Sequence, residues 1–188
     1  GAHYVRANLE DLMRPRLTPV FVNIGKNRTT SNDDAVKDYI QVMNIIGDRA
    51  DAWVINISSP NTTGLRDLFK PDKFKPFLRQ ILESRPTSAP VLLKLSPDLS
   101  DGDLEDVVSS ACELKIDGLI ASNTTLHRDP GSPFPLEGGV SGRPLATKSK
   151  NLLSQLVQMR QSSGSEILLI SVGGILTPQD VFERLDLG

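Results

Sequence analysis

Ala52-Trp53-Val54-Ile55-Asn56-Ile57 is an apolar, largely β-branched and aromatic run broken by one carboxamide near its carboxyl end. A run of this kind reads as a strand buried on both faces, as in a parallel sheet covered by helices. Strand alternation places Val54 and Asn56 on one face and Trp53, Ile55 and Ile57 on the other. The wholly apolar face is expected to pack beneath helices, so Asn56 points away from them. Val91-Leu92-Leu93-Lys94-Leu95 repeats the design with a lysine: Leu92 and Lys94 share one face, while Val91, Leu93 and Leu95 share the other. Phe21 and Asn23 follow the same rule in Val20–Asn23. The run Gly118–Ala121 leads directly into Ser122-Asn123-Thr124, and Ile167–Val172 supplies a fifth strand.

Helical spacing separates these runs. Ala35, Val36, Tyr39, Ile40, Met43 and Ile46 recur at intervals of three and four, as do Leu104, Val107, Val108, Ala111 and Leu114, and again Leu152, Leu153, Leu156 and Met159. Ser31 and Asn32 provide a start signal for the first of these. Ser100 with Asp103 forms a box-like start for the second, and Thr177-Pro178-Gln179-Asp180 combines a cap, an N1 proline and an acidic third position. Strands alternating with helices imply either a doubly wound sheet or a barrel, and periodicity does not separate the two. The strand ends favour the barrel: amides and a lysine at the carboxyl ends of successive strands can converge on one pocket only if the sheet curves round it.

The chain has 188 residues, 38% hydrophobic and 23% charged, which suits one globular domain. A formal net charge of −2 gives no electrostatic reason to expect nucleic acid as a partner. Cys112 is the only cysteine, so neither an internal disulfide nor a multi-cysteine metal site is available, and it reads as a boundary thiol on a helix. No apolar run approaches the roughly 18 residues that span a bilayer.

Asn56-Ile57-Ser58-Ser59-Pro60-Asn61-Thr62 continues the second strand, with two amides around a serine pair and a proline that stiffens the turn. Alone it is equally a polar strand-to-loop transition. Its neighbours are Asn23-Ile24-Gly25-Lys26-Asn27, Leu93-Lys94-Leu95-Ser96-Pro97-Asp98, Ser122-Asn123-Thr124-Thr125, Gly138-Gly139-Val140-Ser141-Gly142 and Val172-Gly173-Gly174-Ile175. In this order, from about Val20 to the end, the segments resemble the class 2, quinone-dependent dihydroorotate dehydrogenases.

That resemblance implies a parallel (β/α)8 TIM-type barrel, with residues 1–188 forming a partial FMN-binding domain of about five βα units. The expectation is a segment lacking the first strands, with an Ala-Gly turn and an Asn-Arg-x-Gly-Phe stretch, and the last unit, with a Tyr-Thr pair. The resemblance assigns Asn23, Asn56, Lys94, Ser122, Gly142 and Gly174 to the cofactor FMN, with Lys94 at the flavin's pyrimidine edge. Asn56, Asn61, Asn123 and Thr124 are assigned to dihydroorotate and its product orotate. Carboxamides suit such a ring because each offers a donor and an acceptor side by side. Ser59 is assigned as the base that removes the C5 proton while hydride passes from C6 to flavin N5. In class 1 enzymes, and in dihydropyrimidine or dihydrouridine barrels, the corresponding base is a cysteine; Ser59 therefore points to a quinone acceptor. Membrane association is expected through an N-terminal region outside this chain, at the mitochondrial inner membrane or the bacterial cytoplasmic membrane.

Three features keep local readings. Gly173 and Gly174 precede a helix start, where bare backbone can approach a phosphate, but a tight turn also requires glycine. The segment Leu126–Thr147, rich in Pro and Gly, reads as a binding loop or a plain crossover. His127 is taken as a loop residue.

Overall fold

The computed structural model describes residues 1–12, 15–58 and 70–188, apart from the side chain of Pro71. Five parallel strands form one sheet: β1 (Phe21–Ile24), β2 (Ala52–Asn56), β3 (Val91–Lys94), β4 (Gly118–Ala121) and β5 (Leu168–Ser171). Helix α1 (Ala2–Glu10) precedes β1. The crossovers are α2 (Ala35–Ile46), α3 (Pro71–Ser84), α4 (Asp101–Glu113) and α5 (Ala146–Ser163), and α6 (Pro178–Leu185) follows β5.

Strand order decides the architecture. The strands neighbour one another as β1-β2-β3-β4-β5, with no reversal. A doubly wound sheet reverses its order at a switch point and carries helices on both faces. Here Trp53, Ile55, Leu93, Leu95 and Leu119 share one core with Tyr39, Met43, Leu78, Val107 and Leu156 from the helices. Ala52, Val54, Leu92 and Ile120, with Ile170 against them, form a separate small cluster on the opposite face. Helices on one face and an unbroken strand order make five consecutive βα units of a TIM-type barrel wall. The two-face assignment for β2 and β3 holds at every residue named for it.

Register sorts the inner face into layers. Asn23, Val54, Leu92, Gly118 and Leu168 are successive partners across the sheet, and Asn56, Lys94, Ile120 and Ile170 form the next layer towards the carboxyl end. Gly118 is small for a reason: a Cβ there would stand 2.6 Å from Leu92 Cδ2 and 3.0 Å from the Leu168 carbonyl oxygen. The glycine lets the Leu92 side chain lie across β4.

Local start signals behave as their chemistry demands. Ser100 caps α4 by accepting from the Asp103 N–H at 3.2 Å. Thr177 and Asp180 close a complete capping box, with Thr177 N–H donating to Asp180 Oδ2 at 2.7 Å. For α2 the cap is Asp34 rather than Ser31 or Asn32, because Ser31 Oγ closes a turn onto the Asp34 N–H at 3.1 Å before the helix begins. The expected long loop is shorter at its far end. Arg143–Leu145 forms a 3-10 turn, so Ala146 and Thr147 already belong to α5. At its near end Thr125 and Val140 exchange backbone hydrogen bonds of 3.1 and 2.8 Å, closing the loop at a neck.

Clefts of about 390 Å³ lie beside the two outer strands, one along β1 against α1 and α2, the other along β5 against α5 and α6. Phe21 is exposed in the first of these.

Behind β5 the backbone turns at Gly173 and Gly174, with φ of +98° and +69°. A Cβ on Gly174 would stand 2.3 Å from Ala146 Cα and 2.6 Å from its nitrogen, atoms of the α5 backbone that have no freedom to move aside. Gly174→Ala is therefore expected to destabilise the fold by about 2–4 kcal/mol, left-handed strain and overpacking together. Gly131→Ala, with φ +79° but open space around it, should cost only the strain, about 1–2 kcal/mol. Urea unfolding of both variants checks the difference; equal losses would show that the α5 contact is not the cause.

Candidate active site

The carboxyl ends of β2, β3 and β4 meet at a polar cluster. Asn56, the last residue of β2, is half-buried, and its own backbone carbonyl accepts from the Tyr39 hydroxyl at 2.8 Å. Burial holds the Tyr39 phenol above its ordinary range, outweighing the backbone hydrogen bond near Lys26, so the group stays a neutral donor. The Asn56 side-chain oxygen accepts from Ser58 N–H at 3.2 Å, from Ser58 Oγ at 3.1 Å and from Asn123 Nδ2 at 3.3 Å. Asn123 arrives from the end of β4, where its backbone N–H donates to the Leu95 carbonyl at 2.8 Å. Its Nδ2 also reaches Ser58 Oγ at 3.0 Å and the Ser58 carbonyl at 3.2 Å.

Two backbone donors set the polarity of both amides. A peptide N–H can only donate, so the Asn56 atom facing Ser58 N–H must be the oxygen. The Thr124 N–H donates to Asn123 Oδ1 at 2.9 Å and fixes that amide in the same way. Asn56 therefore has its oxygen committed to the protein and its NH2 uncommitted among the described residues. Its register partner on β3 is Lys94, half-buried, with neither a hydrogen-bond nor an ion-pair partner among the described residues. The Thr124 hydroxyl is likewise uncommitted among them. Free donors and a lone cation side by side suit a ligand edge rich in acceptors and negative charge.

Asn23 differs from that pair. It is exposed and lies one layer lower, in register with Val54 rather than with Asn56. Gly25 is the part of that segment that comes up beside Asn56, since a Cβ on it would be 3.5 Å from the Asn56 carbonyl oxygen. Stagger between parallel neighbours, which barrel closure requires, separates the two amides. Ser122 is buried; its N–H donates to the Val172 carbonyl at 2.9 Å and its hydroxyl to the Asn123 carbonyl at 2.9 Å.

Gly142 adopts φ +70° with open space around its α-carbon, so conformation is what calls for glycine there. Gly173 and Gly174 have a packing reason independent of any ligand, since Leu145 and Ala146 crowd them. The Gly173 carbonyl accepts from Ser149 Oγ at 2.7 Å and from the buried Arg184 guanidinium at 3.1 Å, which ties β5, α5 and α6 together.

Ser59 and Asn61 lie outside the described residues. Among the others, Asn56, Lys94, Ser122, Asn123 and Thr124 are brought together at the ends of β2, β3 and β4, whereas Gly142 and Gly174 sit farther round the rim. Two participants were not singled out from sequence. Ser58 is buried between the amides, and its place inside Asn56-Ile57-Ser58 was the available signal. Asp98, four residues after Lys94, accepts from Thr125 Oγ1 at 2.5 Å, Lys148 Nζ at 2.8 Å and Leu126 N–H at 2.7 Å. Burial alone would raise its pKa, but these donors prevail and hold the carboxyl below its usual range.

Known proteins share both the sequence and the fold of this chain. The family model described as dihydroorotate dehydrogenase matches residues 1–188. A protein named dihydroorotate dehydrogenase (quinone) from Mycobacterium ulcerans is 45% identical over 174 residues, 90% of this chain and 47% of that protein. One of the same name from Corynebacterium glutamicum is 42% identical over 195 residues, all of this chain and 50% of that protein. The crystal structure of the Eimeria tenella enzyme DHODH in complex with ferulenol superposes with a TM-score of 0.87 at 32% identity, covering 100% of this chain and 57% of that one. The chain spans about half the length of the curated relatives it matches. With a whole-chain family match and an agreeing barrel wall, this chain belongs to the dihydroorotate dehydrogenase family.

Proposed function

We propose that this chain carries the catalytic rim of an FMN-dependent dihydroorotate dehydrogenase, which oxidises (S)-dihydroorotate to orotate in pyrimidine biosynthesis and delivers the electrons to a quinone. The observation that carries the reading is the Asn56–Ser58–Asn123 amide cluster beside Lys94, a half-buried cation without a counter-charge among the described residues. That cation suits the electron-rich pyrimidine edge of a flavin, and the uncommitted NH2 of Asn56 suits carbonyl oxygens next to it. Asn23, Asn56, Lys94, Ser122, Gly142 and Gly174 are the residues proposed to hold FMN. The α5 backbone pressing on Gly174 supplies a structural reason for that glycine alongside the cofactor one.

Bound FMN would supply the two-electron acceptor, taking hydride from substrate C6 at N5 and passing the electrons on. The protein side chains do the rest. Asn56, Asn61, Asn123 and Thr124 are the residues proposed to hold the flat ring, Asn56 through the two donors of its NH2, so that an analogue lacking the acceptor they meet leaves that amide unpaired. Ser59 follows Ser58 directly in sequence. It is the proposed base for the C5 proton, a task that a hydroxyl performs only where a proton path and a dry pocket assist it. No His or carboxylate lies next to Ser59 in sequence, which argues against a hydrolase nucleophile.

Quinone as the acceptor follows from serine rather than cysteine at position 59 and agrees with the names of the curated relatives. Those relatives are bacterial, which favours the cytoplasmic membrane over the mitochondrial inner membrane as the place of quinone uptake. No helix among the described residues is long and apolar enough to cross a membrane.

Ser59→Ala is expected to slow flavin bleaching by dihydroorotate by on the order of 10²–10⁴-fold, the range for losing a general base, with flavin content unchanged. Stopped-flow absorbance measures this, and near wild-type bleaching would exclude Ser59 as the base. Lys94→Ala should lower flavin retention or make the flavin potential more negative. Full occupancy at an unaltered potential would remove Lys94 from the cofactor's charged edge.

A further inference from the structure

We infer that Asp98 is a positioning residue for the substrate face, acting through the four residues Asn123–Leu126. The inference rests on the proposed role of Asn123 and Thr124 in holding dihydroorotate. Asp98 leaves β3 four residues beyond Lys94, and its side chain is only 12% exposed. Its carboxylate gathers three donors from two other elements. Oδ1 accepts from Thr125 Oγ1 at 2.5 Å and from Lys148 Nζ of α5 at 2.8 Å, and Oδ2 accepts from the Leu126 N–H at 2.7 Å. Its own N–H is held by Ser96 Oγ at 3.2 Å.

Those contacts fall on a segment already restrained from the other side. Asn123 is tied to Leu95 through its backbone and to Asn56 and Ser58 through its amide. Thr125 pairs with Val140 at the loop neck, and its hydroxyl also accepts from the His127 N–H at 3.0 Å. The amide cluster thus fixes one end of the segment and Asp98 fixes the other. Thr124, between them, keeps its hydroxyl uncommitted among the described residues. Lys148 neutralises the carboxylate locally, so the clamp adds little net negative charge beside a substrate that is itself an anion. A clamp that only stabilised the fold would have no need to seize two consecutive residues next to a substrate pair. Asp98 instead sets the height and angle at which Asn123 and Thr124 meet the ring, and sub-ångström placement of this kind governs productive binding.

Asp98→Asn tests this in the full chain loaded with flavin. The amide carries two donors where the carboxylate had only acceptors, so at least one of Thr125, Leu126 and Lys148 loses its partner. The expected result is a KM for dihydroorotate raised about tenfold, with flavin content and visible spectrum unchanged and faster amide hydrogen exchange at Leu126 and Val140. Thr125→Val should reproduce part of the KM change, and the double variant should add little to Asp98→Asn alone. Should Asp98→Asn fail to fold, Thr125→Val and Lys148→Met carry the same readouts. Faster exchange with an unchanged KM would reduce the clamp to a structural role and overturn the inference, as would unchanged exchange. Absence of bleaching in the wild-type protein would instead remove the dihydroorotate reading, while the exchange data still judge whether Asp98 holds the loop.

Discussion

The parallel register that sets Asn56 opposite Lys94 is the constraint on which the site depends. Side chains alternate along a strand, so a slip of one residue between β2 and β3 would turn Lys94 under the helices and bring an apolar neighbour to the rim. Burial forbids the slip. Trp53, Ile55, Leu93 and Leu95 are essentially inaccessible on the helix side, and Val54 and Leu92 are buried on the other. Each such side chain contributes roughly 1.5–3 kcal/mol by leaving water, far more than any single polar contact at the rim. The apolar core therefore chooses the register, and the register delivers the polar groups.

Chemical polarity at the rim comes from the backbone rather than from the side chains that display it. Asn56 and Asn123 could each present either end of an amide. The peptide N–H groups of Ser58 and Thr124 remove that freedom by demanding oxygen on their side. What remains available to a ligand from Asn56 is a pair of donors, next to the positive charge of Lys94. Ser58, buried between the two amides, joins them into one unit, so that the ends of β2 and β4 respond together.

Beyond the rim, close backbone approach organises the rest. Gly118 admits Leu92 across β4, and Gly174 admits the start of α5. Arg184 then bridges Ser171, Ser149 and the Gly173 carbonyl, holding β5 against both helices. Burial lowers the pKa of this guanidinium, and the Asp180 and Glu183 charges only partly oppose that effect. Its role here is to satisfy carbonyls and hydroxyls at a crowded junction, which is a structural task.

Residue order alone determined the alternation of strands and helices, the two faces of β2 and β3, and the caps at Ser100 and Thr177. All of these follow from periods of two and 3.6 or from local hydrogen bonding, which neighbouring residues dictate. The helix α3 was not read from sequence: Phe74, Phe77, Leu78 and Ile81 recur at three and four, but Pro76 within the run obscures the pattern. Tertiary structure decided what depends on distant partners. The unreversed strand order separated barrel from doubly wound sheet, and the stagger of β1 put Asn23 a layer below Asn56. The amide polarities and the clamp at Asp98 belong to the same class. Asp98 and Lys148 stand 50 residues apart in the chain, and no local pattern announces a contact that only the curvature of the sheet brings about.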